Sequence, residues 1–209
     1  MKQQRLYGIV SIVLFCSIVI VSGLIYVQLT QNVDSKVIVD ENQQTMYKLP
    51  EDATAFQVGA FDELELALES EIQDKYLISG LVVKNFIADF YTWANKTGTH
   101  DVGGMQYVYG PETLGIYSQA KNLFYRDLSY LIQKYGKENL LEVDSVTIKY
   151  VDPEENFLYK DIVFESYYVG AEWTYKSNPG FDTSVYQTKA YFSVLYRDGK
   201  LEIYRYYEE

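Results

Sequence analysis

Cysteine and histidine are almost missing from this sequence. The chain of 209 residues contains one Cys, one His and four Pro. One Cys excludes a framework of intramolecular disulfides, and a single Cys with a single His excludes a Cys/His metal cluster. The sequence therefore predicts no metal and no cofactor, and no catalytic constellation is recognisable in it.

Basic residues are also scarce, with 18 Lys and Arg against 29 Asp and Glu and a net charge of −11. Lys2 and Arg5 precede every acidic residue, so the chain that follows them carries a net charge of −13. Such a surface repels phosphate backbones, which argues against nucleic acid as the main partner. The 48% hydrophobic and 22% charged composition excludes wholesale disorder.

A long apolar run lies near the N-terminus. Residues 6–29 contain no charged side chain, and a helix of that length reaches roughly 36 Å, enough to cross the hydrocarbon core of a membrane. Lys2 and Arg5 before the run predict a cytoplasmic N-terminus. The alternative is a signal peptide cleaved near Val21-Ser22-Gly23, but the apolar run continues past that point.

The domain organisation follows from this run. The residues after it are polar and rich in Gln and Asn, which is typical of a stalk. We expect a single-pass protein of the cell membrane with a cytoplasmic tail, a transmembrane helix, a stalk and one extracytoplasmic domain, at residues 1–5, 6–29, 30–60 and 61–209.

Helical periodicity dominates the first half of the predicted domain. Apolar residues recur at helical spacing through residues 62–95, which predicts one long helix with a bend or close contact at Gly80. Pro111 then stands where a helix begins and Gly136 where one ends, so the spacing between them predicts a second long helix.

From about residue 142 the apolar pattern has a period of two. It predicts four antiparallel strands, of which the second covers residues 157–175 with a bend at Gly170. The Asp198-Gly199 pair between two alternating segments predicts a two-residue hairpin turn before the last strand. Helices followed by strands favour the α+β class, with long helices packed on one face of a curved antiparallel sheet.

This order of elements resembles a known architecture. An anchor, two long helices and a meander of Tyr-rich strands, with the segment Phe86-Ile87-Ala88-Asp89-Phe90-Tyr91-Thr92-Trp93 in the first helix, looks like the nuclear transport factor two-like cone. More narrowly, the chain is similar to the bitopic scaffold component of type IV secretion and conjugation systems, the eighth VirB component. The resemblance covers residues 60–209 together with the anchor.

The resemblance implies a non-enzymatic scaffold that contacts other envelope or secretion proteins, with homo-oligomerisation as a further expectation. The resemblance does not identify any binding residues in this chain. The alternative from a different class is a sensory or ligand-binding domain whose cone cavity holds a small apolar molecule.

Tyrosine supplies the candidate interaction surface. The chain contains 22 Tyr, and this residue type suits interfaces because it joins an apolar ring to a polar tip. In the terminal strands the rings fall on both faces, and both faces cannot be core, so we expect an exposed aromatic patch. The alternative is that these rings simply fill a large core. The predicted patch consists of Tyr167, Tyr168, Tyr204, Tyr206 and Tyr207.

An enzyme is the third hypothesis. His100 lies beside Asp101, but neighbouring side chains point apart and no nucleophile with motif context is near. Asp89 and Asp127 are the acids nearest the apolar stripes of the two helices, and we expect both at the edge of a stripe, paired or hydrated, because a buried unpaired carboxylate is costly.

Overall fold

The computed structural model describes residues 46–155, 157–159 and 162–208. In this part of the chain four α-helices accompany an antiparallel sheet, which confirms the α+β class. None of these helices has both the length and the apolar character needed to cross a membrane. The predicted transmembrane helix lies outside the described residues. The helices are α1 Ala55–Leu68, α2 Lys75–Phe90, α3 Gly110–Asn122 and α4 Leu128–Tyr135.

The sheet orders its strands β1-β4-β5-β6, and all neighbours are antiparallel. Asp198 and Gly199 both have positive φ, at 51° and 85°, so the predicted two-residue turn joins β5 to β6. A separate two-stranded hairpin pairs β2 with β3. The strands are β1 Val143–Pro153, β2 Phe157–Tyr159, β3 Ile162–Phe164, β4 Ser166–Tyr175, β5 Lys189–Arg197 and β6 Lys200–Glu208.

The single strand predicted over residues 157–175 is wrong, because its first half folds back as the β2–β3 hairpin. Phe157 and Phe164 of that hairpin pack against Tyr109, Leu195 and Tyr204. This small cluster lies on the face of the sheet opposite the helices. Both Phe residues are partly buried in this cluster, and their packing stabilises the hairpin.

The single helix predicted over residues 62–95 is also wrong, since the chain leaves helical structure between α1 and α2. Glu65 and Glu69 lie at the C-terminal end of α1, where the helix dipole disfavours negative charge. Asp74 then begins a new helix, because its carboxylate accepts hydrogen bonds from the backbone N–H of Tyr76 and Leu77 at 2.9 and 3.2 Å.

The second predicted helix is divided in the same way, into α3 and α4. Between them Tyr125 turns fully into the core, where its hydroxyl donates to the carbonyl of Phe90 at 2.6 Å and accepts from the N–H of Gly103. Phe124 stacks on Phe90 with ring centroids 5.6 Å apart. Two consecutive aromatic residues that both pack inward outweigh the propensity to continue the helix.

Helix α2 lies at the centre of the helical layer and packs on β1, β4 and β6. Gly80 permits this approach, since a Cβ there would meet the Ile148 side chain at 3.4 Å. The folded part also begins before residue 61: α1 starts at Ala55, and Tyr47 is buried with its hydroxyl donating to the carbonyl of Leu201 at 2.5 Å. Part of the segment that we expected to form the stalk therefore belongs to the domain.

Candidate functional site

The five tyrosines of the predicted surface separate onto different faces. Tyr167 is buried in the main core, and its hydroxyl donates to the carboxylate of Glu165. Tyr204 is buried on the opposite face under the β2–β3 hairpin, where its hydroxyl donates to Glu154 at 3.0 Å. Burial raises the pKa of Tyr204 to about 12. Neither ring is available to a partner.

The other three reach solvent, but not together. Tyr206 is half-buried and faces the helices, where it lines a groove. Tyr168 and Tyr207 both lie on the face of the sheet away from the helices, with ring centroids 6.3 Å apart. Only this pair from the predicted set shares an open surface.

Two further tyrosines complete that surface. The register aligns Tyr150, Gly170, Tyr191 and Tyr207 side by side across the four strands. The ring of Tyr168 lies 6.2 Å from that of Tyr150 and 5.8 Å from that of Tyr191. We call these four rings the tyrosine platform: Tyr150, Tyr168, Tyr191 and Tyr207.

The platform is only partly covered by the protein. Tyr150 and Tyr207 are 38% and 40% exposed, and the other two rings are half-buried. The ring planes of Tyr168 and Tyr191 differ by 14°, and those of Tyr150 and Tyr191 by 26°. The Tyr207 ring is tilted by 56° from that of Tyr168. The sheet therefore presents three roughly parallel rings and one tilted ring on a face where polar side chains are expected.

Charged side chains border the platform. Lys149 pairs with Glu172 at 3.2 Å, and the Lys189 ammonium lies 5.4 Å from the centroid of the Tyr191 ring. A hydrogen bond with Tyr207 raises the pKa of Arg205. Asp152 lies opposite Tyr168 in the register. Glu154 acts electrostatically on both Tyr168 and Arg205 and is a third acid at this border, so three cations face three acids and the border is close to neutral.

A groove of about 340 Å³ opens on the other side of the sheet, between the ends of α2 and α3. Its walls are aromatic, and the side chains of Gln119 and Gln187 supply amide groups at its edge. Tyr91 donates a hydrogen bond to Gln187 at 2.9 Å, which fixes one amide. No charged side chain lines the groove. The aromatic walls are Phe90, Tyr91, Phe124 and Tyr206.

The two acids that we considered for catalysis, Asp89 and Asp127, form ion pairs with neighbouring basic residues. Asp89 is 8% exposed and pairs with Lys96 at 2.5 Å, while its second oxygen accepts from the N–H of Gly104 at 2.6 Å. Asp127 is exposed and pairs with its neighbour Arg126 at 2.9 Å. Asp89 thus lies deeper than the stripe edge that we expected, and its charge is compensated.

His100 and Asp101 also form hydrogen bonds that stabilise the loop in which they lie. Asp101 accepts hydrogen bonds from the N–H and the hydroxyl of Thr97 at 2.9 and 2.8 Å. His100 is exposed, and its carbonyl accepts from the hydroxyl of Tyr117 at 3.1 Å. Among the described residues no group of three or more His, Cys, Asp and Glu side chains is placed to hold a metal ion.

Comparison of the chain with known protein families, with curated proteins and with solved structures finds no match.

Proposed function

We propose that this protein is a non-enzymatic, membrane-anchored assembly component, of the kind that conjugation or type IV secretion machineries use as a scaffold. Its domain outside the membrane contacts protein partners through the tyrosine platform. The observation that carries this proposal is the platform itself, four Tyr rings gathered on the open face of a sheet.

Residue chemistry supports a protein as the occupant of this face. Tyr and Arg are enriched at the centres of protein interfaces. Tyr gives a large contact area and a hydrogen bond for two rotatable bonds, and Arg gives a planar group with several donors. Arg205 stands beside Tyr207 here, and Lys149 and Glu172 stand at the border. The open face of a sheet is normally polar. Here it carries four Tyr rings, of which Tyr150 and Tyr207 are 38% and 40% exposed, and a cluster of exposed rings is typical of an interaction surface.

The remaining parts of the proposal come from the sequence. The uncharged run at residues 6–29 supports the anchor, and the order of helices and strands supports a cone of the nuclear transport factor two-like type. The helices on one face of the antiparallel sheet agree with that order.

Photo-cross-linking in cells tests the proposal. A photoreactive phenylalanine analogue replaces Tyr207 on the platform or, as a matched control, Tyr130 on α4, which is 60% exposed and far from the platform in the fold. We expect position 207 to capture a protein and position 130 to capture none. If position 207 captures neither another envelope protein nor a second copy, the proposal fails.

A second candidate function is the binding of a small apolar molecule in the groove. Its volume of about 340 Å³ lies at the lower end of the range for ligand sites, roughly 300–1,000 Å³. Aromatic walls with two amides and no charge fit a neutral planar molecule that has one or two hydrogen-bonding groups. The groove and the platform lie on opposite faces of the sheet, so the two functions are separable.

Tryptophan fluorescence can report binding of a small molecule in the groove. It has two Trp residues; the Trp93 ring lies 4.7 Å from that of Phe124, and the Trp173 ring 4.5 Å from that of Tyr91. Binding of the neutral dye N-phenyl-1-naphthylamine would quench their fluorescence. We expect Leu123→Glu to abolish this quenching and Leu114→Glu, at a similarly exposed position of α3 outside the groove, to preserve it. Quenching that is equal in both variants would argue against the groove.

A further inference from the structure

We infer that the β2–β3 hairpin inserts its exposed aliphatic side chains into the surface of the lipid bilayer in which the chain is anchored. The inference rests on the proposed function, because it needs the membrane anchor. It adds a lipid contact to the protein contacts of the tyrosine platform. The ligand is the apolar surface of an uncharged bilayer and not a particular headgroup.

The outer face of the hairpin is aliphatic. Leu158 and Val163 are 63% and 59% exposed and lie directly opposite each other in the register of β2 and β3. Side chains of such cross-strand partners are in contact, so the two form one continuous patch. Ile162, the first residue of β3, is 57% exposed and extends the apolar character of the hairpin.

Only the other face of the hairpin packs on the protein. Phe157 and Phe164 alternate with Leu158 and Val163 along the strands, and both rings pack against the small cluster that contains Tyr204. In water the face that points away from the protein is expected to be polar. Aliphatic side chains gathered there mark a contact surface.

The composition of the patch favours hydrocarbon over a protein partner. Leu and Val are under-represented among the residues that dominate protein interfaces. Leu, Ile and Val are, in contrast, among the side chains that enter a bilayer most favourably. The platform, with its Tyr rings and Arg205, has the composition of a protein contact, so the chain presents two surfaces of different chemistry.

The hairpin lies at the end of the sheet where the described chain begins. The ribbon of β1 and β4 reaches this end at Pro153 and Ser166 and continues as the hairpin. Tyr47 is fixed at the same end, because its hydroxyl donates to the carbonyl of Leu201, the second residue of β6. We define the hairpin end of the sheet by four strand residues: Pro153, Ser166, Arg197 and Lys200.

The length of chain before Met46 brings the hairpin end to the membrane. Residues 30–45 join the uncharged run to Met46, and a segment of that length spans roughly 20–25 Å as a coil and at most about 55 Å when extended. A domain of this size has a diameter of roughly 40 Å. The hairpin end is therefore on average closer to the bilayer than the opposite end of the sheet, where β5 begins at Lys189.

The charged groups at the hairpin end give no surplus of positive charge that would attract anionic lipids. Lys75 pairs with Glu165 at 2.5 Å, and Arg197 pairs with Glu202 at 3.1 Å. Glu155 is exposed beside the hairpin and would oppose an anionic surface. The contact therefore depends on burial of apolar side chains and is weak by itself. It needs the high local concentration that the anchor provides, so the experiment uses the full chain.

Fluorescence quenching by spin-labelled lipid tests the contact. In a Cys16→Ser background, which removes the chain's one Cys, Leu158→Cys carries a nitrobenzoxadiazole dye, and one copy of the chain is inserted into each phosphatidylcholine nanodisc. Part of the lipid carries a nitroxide on the fifth carbon of an acyl chain. Insertion by about 5–10 Å brings the dye to that depth, so we expect about a twofold loss of emission.

Val185→Cys provides the matched control. Val185 is an aliphatic residue that is 75% exposed, in the segment before β5 and thus at the end of the sheet opposite the hairpin end. A dye at this position should keep its emission. Equal quenching at positions 158 and 185 would overturn the inference, because the hairpin would then have no preference for the bilayer.

A second variant distinguishes insertion from mere proximity. Ile162→Asp with Val163→Asp changes two exposed side chains, so the fold should persist, which circular dichroism checks. Charged side chains disfavour insertion, so quenching of the dye at position 158 should fall to the level seen at position 185. Quenching that is unchanged in this variant would also overturn the inference.

Extraction of cell membranes with alkaline carbonate separates failure of this inference from failure of the proposed function. A chain that resists extraction but shows no quenching at position 158 overturns the inference alone. A chain that carbonate extracts has no anchor in the bilayer, and both then fail.

Discussion

The ring of Tyr150 lies directly over the backbone of Gly170 on the neighbouring strand. A Cβ at position 170 would come within 2.6 Å of Cε1 and Cζ of that ring. The two residues face each other in the register of β1 and β4. A glycine in the interior of a strand usually weakens it, but here the missing side chain leaves the space in which the first ring of the platform lies.

We predict that Gly170→Ala destabilises the protein, although alanine suits a strand better than glycine. The added methyl group must displace the Tyr150 ring, and we expect a loss of about 1 kcal/mol in the free energy of unfolding, at the lower end of the cost of overpacking, because a ring that is 38% exposed can move outward. Urea denaturation measures the effect.

Removal of the ring provides the control for this prediction. In a Tyr150→Ala background the methyl group meets no ring, so Gly170→Ala should cost less, with a coupling energy above about 0.5 kcal/mol. Equal costs in the two backgrounds would show that the glycine serves another purpose.

The fold class and the hairpin turn could be predicted from the sequence. The platform could not, because two β-bulges change which tyrosines share a face of the sheet. Simple alternation along β1 would place Tyr150 on the same face as Val146 and Ile148. A register shift between Ile148 and Tyr150 inserts one residue and moves the ring to the opposite face. A second shift in β6 separates Tyr204 from Tyr206 in the same way. A pattern of period two carries no signal for an inserted residue.

We predict that Asp89→Asn strongly destabilises the protein. The substitution leaves the Lys96 ammonium buried without its counter-charge, since Lys96 is 5% exposed and its nitrogen contacts Asp89 at 2.5 Å. Loss of one partner of a buried ion pair costs roughly 3–5 kcal/mol. Thermal and urea unfolding followed by circular dichroism would measure this cost.

Asp127→Asn is the matched control for that substitution. Asp127 lies at the surface with its neighbour Arg126, so its replacement should leave the unfolding curve unchanged. A stable Asp89→Asn variant would mean that the loop containing Gly104 does not depend on the ion pair.

The burial of Asp89 and its pairing with Lys96 were not predicted from the sequence. The position between Phe86 and Phe90 placed it near the apolar stripe, but its partner Lys96 lies in the following loop. The loop approaches α2 so closely that a Cβ on Gly103 would meet the carbonyl oxygen of Asp89 at 2.3 Å. The Gly103-Gly104 pair was the available signal, because adjacent glycines permit close contact between backbones.

Thr54→Ala should destabilise the protein by about 1 kcal/mol through loss of the N-cap of α1. The Thr54 hydroxyl accepts from the N–H of Gln57 at 3.3 Å, and the Gln57 side chain accepts from the N–H of Thr54 at 2.7 Å. Thr54→Ser keeps the acceptor and should retain most of the stability. Equal loss in both variants would assign the effect to packing of the methyl group.

The pair Lys75–Glu165 should make stability depend on pH in the acidic range. A hydrogen bond from Lys75, at 2.5 Å, and a second from Tyr167 lower the pKa of Glu165 below its ordinary value of 4.5. The folded state thus favours the ionised carboxylate, so the contribution is complete above pH 4.5 and is lost as the pH falls through the lower folded-state pKa. We expect Lys75→Met to raise the pKa of Glu165 in an NMR titration of its carboxyl carbon, and its destabilisation to fade at low pH. An unchanged pKa would show that Tyr167 alone lowers it.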